Sequence, residues 1–395
     1  MIGILQVENK KVNLALRLIF CFYLLYSFFE AYINIIFGGF GRYIIFVVII
    51  CFLFSYKEIV IRWNHVCIIL WFFLKFVSIF WVSNNYIVQS HFLSQIGMVL
   101  FFITMTVVEF NNQFIKSILI TILFSSSILA TLCLFFSQSY KGVEARQVLT
   151  IRGAQMDPNN QAAFLLIGVT VLLYLLFNKN SNIQYSILYI LLSIIIIYAM
   201  FLTGSRGGII SLIIIIIVIA LLNEKGNNLI TKKTVLNTIL VSIFAGGIYL
   251  IAKQLLREDI FKRIFNFASY SGGSNRIYIW SNTLQIIVNN PLFGGGWGAY
   301  WGYNDNYTVV HNTFLSILAD GGILGFVLFF LPHIYLCISS LNRRYILPLL
   351  VLISGLLPSF FIDSINKRFF WNAIIIAFIL INNKAHYDQI DKVKN

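Results

Sequence analysis

Long apolar runs separated by short polar stretches set the pattern of this 395-residue chain. A run of about 17 to 25 predominantly apolar residues is long enough to cross a bilayer as a helix. Twelve candidate runs are found, at 12–29, 43–56, 66–83, 92–108, 117–137, 161–177, 185–203, 207–222, 235–252, 312–336, 346–362 and 369–382, the second and last being short. Apolar residues are continuous within each run and do not alternate, which argues against a membrane barrel and for helices. The pattern therefore predicts an all-α polytopic membrane protein: about 12 transmembrane helices in a single integral membrane domain over residues 1–395. The first run follows a polar, basic segment with no small-residue cleavage site after it, so it reads as a retained helix.

Two stretches interrupt this scaffold: an outer loop at 138–160 and a large extracytoplasmic loop at 253–311. In the first, Asp157-Pro158-Asn159-Asn160 reads as a turn that caps and starts the sixth helix. The second begins with Leu255 to Ile264, where apolar residues recur at helical spacing among charges, as in a helix lying in the interface. Ser274-Asn275-Arg276 opens another helix, with Ile277, Trp280, Leu284 and Ile287 on one face and Arg276 in its first turn, where a helix dipole favours an anion. Pro291 ends that helix, and Gly294-Gly295-Gly296 makes a turn beside Trp297, Tyr300 and Trp301. These aromatics form an interfacial belt or a platform for a sugar. His311 then stands at the mouth of an apolar helix. Positions 311, 315, 318, 322 and 325 share a helical face, which places the imidazole above Gly322 and Gly325, where a neighbouring helix can come close.

Between the seventh and eighth helices lies Gly204-Ser205-Arg206-Gly207-Gly208. The connection is so short that Arg206 must sit at the outer membrane boundary. Ser205 can cap the eighth helix, whose amides favour an anion, and Arg206 adds a fork of donors suited to phosphate. Tight packing of small residues, with Arg206 reaching to lipid headgroups, is the competing reading.

Composition and charge narrow the class. Only 11% of residues are charged and 59% are hydrophobic, against roughly 25% charged in a soluble globular domain; an ordinary water-soluble fold is excluded. The net charge of +14 suggests nucleic acid until its distribution is read. With the N-terminus in the cytoplasm, Lys57, Arg62, Lys116, Lys179, Lys225, Lys232, Lys233, Arg343 and Arg344 fall on the inner side, the positive-inside pattern. An unusual number also fall outside: Arg42, Lys141, Arg146, Arg152, Arg206, Lys253, Arg257, Lys262, Arg263, Arg276, Lys367 and Arg368. Long loops translocate regardless of charge; alternatively, these cations form an outer anion site. The five cysteines all lie in apolar runs, with neither a disulfide framework nor zinc spacing. Lys75 lies inside the third run, a costly position that calls for a partner or a cavity.

Taken together, Gly204-Ser205-Arg206-Gly207-Gly208, Arg276 with Trp280, Asn290-Pro291-Leu292-Phe293-Gly294, and His311-Asn312 followed by Gly322-x-x-Gly325 resemble the bacterial O-antigen ligase/polymerase family, closely over 150–330. The resemblance implies an enzyme that transfers lipid-linked glycans on the outer face of the bacterial cytoplasmic membrane, with both termini cytoplasmic. It implies His311 as general base toward the acceptor hydroxyl, and Arg206 and Arg276 on the diphosphate of an undecaprenyl-diphosphate-linked glycan donor. Such enzymes are metal-independent and inverting and need no cofactor. Arg152, Asn160, Ser205, Asn312, Trp297 and Asp363 are further substrate-binding candidates. The expected partners are the donor, a glycan acceptor, membrane lipid, a flippase and a chain-length regulator; nucleic acid is not among them. Polymerase is favoured over ligase on base rates alone. A flippase or transporter is the alternative from a different class, but its charges should line a cavity at mid-membrane, and these sit at the outer edge.

Overall fold

The computed structural model describes residues 10–55, 59, 61–82, 85–177, 183–222, 253–265, 276–303 and 309–383. The first half holds α1 (Lys10–Phe37), α2 (Gly41–Ser55), α3 (Trp63–Val77), α4 (Asn85–Thr106) and α5 (Asn112–Phe136). A small sheet follows, β1 (Ser137–Tyr140), β2 (Val143–Ile151) and β3 (Ala154–Gln155), and then α6 (Pro158–Phe177), α7 (Ile183–Leu202) and α8 (Arg206–Leu222). The second half holds α9 (Glu258–Phe265), α10 (Arg276–Asn289), α11 (Ala299–Tyr303), α12 (Thr313–Asn342), α13 (Ile346–Leu356) and α14 (Arg368–Ile381). Among the described residues, six apolar helices, α1, α3 with its 3-10 extension, α5, α6, α7 and α12, are long enough to cross a membrane by length and composition, and five shorter apolar helices accompany them. These correspond one for one to predicted runs; the run 235–252 lies outside the described residues, as do Ser274 and Asn275.

α6 is the central helix, packed against α5, α7, α8 and α13. Gly168 allows the closest approach: a Cβ there would lie within 2.3 Å of two side-chain atoms of Ser126 on α5. Of the five cysteines, only Cys133 is buried; its sulfur accepts a hydrogen bond from Gln161 at 2.9 Å.

The loop 138–160 departs from the helical pattern expected for the whole chain. It is a three-stranded antiparallel sheet in the order β1-β2-β3. Its turns carry the reason. Lys141-Gly142 has φ of 48° and 79°, and Arg152-Gly153 has 50° and 80°. Two consecutive positive φ angles, the second on glycine, match the twist of paired strands, and β2 supplies the β-branched Val143, Val148, Thr150 and Ile151 between them.

The loop after α10 is built into α12 itself. Gly322 breaks that helix with φ 61° and ψ −163°, which leaves backbone groups on both sides of the break without helical partners. The segment 291–296 supplies them. Ile323 N donates to Pro291 O at 2.8 Å and Leu324 N to Leu292 O at 3.2 Å, while Gly295 N and Gly296 N donate to Ala319 O and Asp320 O at 2.8 and 3.1 Å. What comes close at Gly322 is thus a loop, not the neighbouring helix that its spacing suggested. Gly325 does face a helix, with α3 Leu74 at 3.5 Å from its would-be Cβ.

Lys75 has its partner here: its Nζ lies 3.2 Å from Asp320 Oδ2, and both side chains are largely buried. Asp320 also accepts from the N–H groups of Gly298 and Ala299 at 3.0 and 3.2 Å. The Lys75 ammonium sits 4.9 Å from the Trp297 ring and 5.6 Å from Trp71. The pair therefore ties α3, α12 and the docked loop together. Lys75→Met, which strands a buried carboxylate, is expected to destabilise the protein by about 3–5 kcal/mol. In thermal unfolding in detergent, Lys75→Met/Asp320→Asn should recover part of that loss; no recovery would mean that the ion pair is not the cause.

Candidate functional site

Three separate chain segments supply the candidate site. The first is the turn between α7 and α8. Ser205 Oγ accepts from Gly208 N at 3.3 Å, capping α8, and donates to Asn159 Oδ1 at 2.9 Å. Arg206, half-buried at the start of α8, donates from Nε to the carbonyl of Arg263 at 2.6 Å, and Arg263 Nε donates back to Gly204 O at 3.3 Å. The small residues of this motif answer to packing. A Cβ on Gly204 (φ 59°) would lie 2.5 Å from Ala145 O, one on Gly207 2.6 Å from Phe361, and one on Gly208 2.8 Å from Ala162 Cβ. These glycines therefore pack tightly against protein: the sheet, the loop after α13, and α6.

The second segment is α10, opened by Arg276. Its buried residues are Ile279, Thr283 and Ile286, packed with Ala299, Tyr300, Val310 and Ala319. The face expected to pack, from Ile277 to Ile287, is therefore turned: Ile277 and Leu284 are exposed, while Trp280 and Ile287 lie at the edge of the packed face. Both faces of α10 are apolar, so periodicity alone does not choose between them. α9 behaves as its pattern indicated, burying Ile260 and Ile264 and leaving Lys262 and Glu258 paired outside at 2.5 Å.

The third segment carries His311. Trp280, one turn after Arg276, donates its indole N–H to Val310 O at 3.1 Å. On the other side, Asn312 Oδ1 accepts from Phe314 N and Leu315 N at 3.0 and 3.1 Å and caps α12. His311 is held between these two anchors with φ at 55°, a conformation uncommon outside glycine. It precedes the helix rather than belonging to it. Asp363 reaches the same region: Ser316 Oγ donates to its Oδ2 at 2.9 Å, and Thr313 Oγ donates to Ile362 O at 2.9 Å.

The fields of these groups overlap. Burial, then the charge of Arg276, holds the His311 imidazole below its ordinary value of 6.5, against Asp363 and Asp157, which raise it, while Lys367 lowers it further. Burial also depresses Arg276, helped by Arg146 and Arg206 and opposed by Asp157. Arg146 is depressed by burial and by Arg206, again against Asp157. Arg206 thus acts on Arg276, and Arg276 and Asp363 act on His311. Arg146 and Asp157 join them without having been singled out as site residues. Asp157 accepts from Asn159 N at 2.9 Å and Asn160 N at 3.3 Å at the start of α6, so Asn160 lies beside the cluster.

Two candidates are placed elsewhere. Arg152 is exposed at the β2–β3 turn, a position set by the hairpin. Trp297 is 2% exposed, packed over Lys75 and against Phe72 and Phe92, with its backbone N–H on Ser78 Oγ at 2.8 Å. Ser205 and Asn312 lie in the right region but act as helix caps. His91 packs its ring against Trp301 at 6.0 Å.

Helices long and apolar enough to cross a membrane, carrying guanidiniums and an imidazole within electrostatic reach of one another, describe a multi-pass membrane protein. Residues 191–330, which hold Arg206, Arg276 and His311, match the family model described as O-antigen ligase. Over that segment the chain is similar to the O-antigen ligase family, whose members are glycosyltransferase-type ligases and polymerases. No curated protein matches the chain.

Proposed function

We propose that the protein is a polymerase that joins undecaprenyl-diphosphate-linked oligosaccharide repeat units into a surface polysaccharide on the outer face of the cytoplasmic membrane. The observation that supports this reading is that Arg206 acts electrostatically on Arg276 and Arg276 on His311, as expected of an anion clamp beside a base. The acceptor hydroxyl oxygen attacks the anomeric carbon of the donor sugar from the side opposite the diphosphate and gives its proton to His311. The bond from that carbon to the phosphate oxygen breaks, and its electron pair leaves with the diphosphate. Arg206 and Arg276 neutralise the departing charge, which is work that a divalent cation can also do. Because attack and departure are on opposite faces, the product is inverted. A depressed imidazole is neutral and ready to accept a proton at pH 7.

Arg206→Lys tests the clamp, because a point charge does not replace a planar fork of donors. With purified protein and a lipid-linked repeat unit, chain formation should fall about 100-fold. A wild-type rate would remove Arg206 from the diphosphate.

Ligation of polysaccharide to a lipid A-core acceptor is the second reading, favoured by the wording of the family description. Supplying the purified protein with either acceptor separates the two. Growth on a lipid-linked repeat unit marks a polymerase; transfer only to lipid A-core marks a ligase.

A further inference from the structure

The diphosphate reading assigns two guanidiniums, yet a third stands with them on an element that the sequence concealed. Arg146 lies in β2, half-buried, with Nη2 donating to Asn159 Oδ1 at 3.3 Å. The same oxygen accepts from Ser205 Oγ at 2.9 Å, so Arg146 is linked through one amide to the residue preceding Arg206. Its backbone position is equally fixed, since Ala145 O faces Gly204 with no room for a Cβ between them. Among the described residues, neither Arg146 Nε nor Arg276 Nε, both buried, has a hydrogen-bond partner. A buried guanidinium N–H without an acceptor is costly, and phosphate oxygens are the acceptors that its fork geometry fits.

We propose that Arg146 is a third diphosphate-binding residue, presented by the hairpin to the anion that Arg206 and Arg276 hold. This rests on the diphosphate reading given above. It also gives the small sheet a purpose: paired strands hold a guanidinium more rigidly than a free loop would.

Binding of inorganic pyrophosphate to the purified full-length protein, at fixed ionic strength, tests it apart from catalysis. Arg146→Gln should raise the pyrophosphate Kd at least 10-fold and Arg146→Lys should raise it less. Lys141→Gln, which removes a charge from an exposed turn of the same hairpin, should stay within twofold. His311→Ala should bind pyrophosphate like the wild type while making no product. Wild-type binding by Arg146→Gln, in a protein that keeps its gel-filtration profile and its unfolding midpoint, overturns the role of Arg146 and leaves the diphosphate site standing. Failure of the wild type to bind pyrophosphate removes both. A loss of binding accompanied by a lowered midpoint is resolved by Arg146→Lys: if it restores the fold but not the affinity, the guanidinium is needed for the anion, and if it restores both fully, the fork plays no part.

Discussion

His311→Ala is expected to leave the protein folded in the membrane and to abolish long-chain product, with lipid-linked single repeats accumulating on the outer leaflet. The fold should survive because the segment is anchored on either side of the histidine, by the Trp280 bond to Val310 and by the Asn312 cap. Position 311 keeps its φ of 55° in the variant, and since that left-handed conformation costs any non-glycine residue about 1–3 kcal/mol, alanine changes the backbone strain little. Accumulation on the inner leaflet would instead indicate a flippase. The pH profile adds a sharper test. A general base works in its deprotonated form, so the rate rises with pH through the imidazole pKa and then levels off. That pKa lies below 6.5 because of burial and Arg276, so the plateau should already be reached at neutral pH. Arg276→Gln removes the largest electrostatic contribution holding it down. Whatever activity remains should then have its acid limb shifted upward, toward the ordinary histidine value. An unmoved limb would mean that the titrating group is not His311.

How far the sequence could be read depended on the range of the interactions involved. Apolar runs report directly on transfer to lipid, a local property, and each described one became a helix near its predicted bounds. Ser205 and Asn312 were equally local, since a cap is set by the next turn of helix. The hairpin was hidden because its signals, Lys141-Gly142 and Arg152-Gly153, are short and sit in a stretch too polar for an apolar scan. Arg146 was missed with it: in a loop it is one cation among several, and only strand pairing fixes its place. Arg152 was named on the family resemblance, as a polar residue of that loop, and the turn leaves it exposed. Trp297 fell to the same limit. Its partner Lys75 is more than two hundred positions away, and periodicity does not report on such distances. The face of α10 was ambiguous because apolar residues cover both sides.

The break in α12 supplies the other large effect. Gly322→Ala is expected to destabilise the protein by at least about 4 kcal/mol, from backbone strain together with lost docking hydrogen bonds. With φ 61° and ψ −163°, position 322 occupies a region that is essentially restricted to glycine. An added Cβ would lie 2.4 Å from both the carbonyl carbon and the oxygen of Leu292, and 2.7 Å from Gly294 N. Those are backbone atoms of the docked loop, so no side chain can swing aside. Relief requires the loop to withdraw, with the four bonds it makes to residues 319, 320, 323 and 324. Gly321→Ala is the natural control. Its Cβ would meet only Leu74 Cδ2 at 3.8 Å, an ordinary contact, and alanine is favoured over glycine in a helix by about 1 kcal/mol. Unfolding midpoints in detergent should therefore separate two adjacent glycines, with Gly321→Ala at or above the wild type and Gly322→Ala far below it. Withdrawal of the loop should reach the site as well, because the same segment follows α10 directly and so fixes Arg276 and Trp280 relative to His311. If the Gly322 variant unfolds like its neighbour, the loop is not what holds the broken helix together, and the placement of His311 beside Arg276 needs another cause.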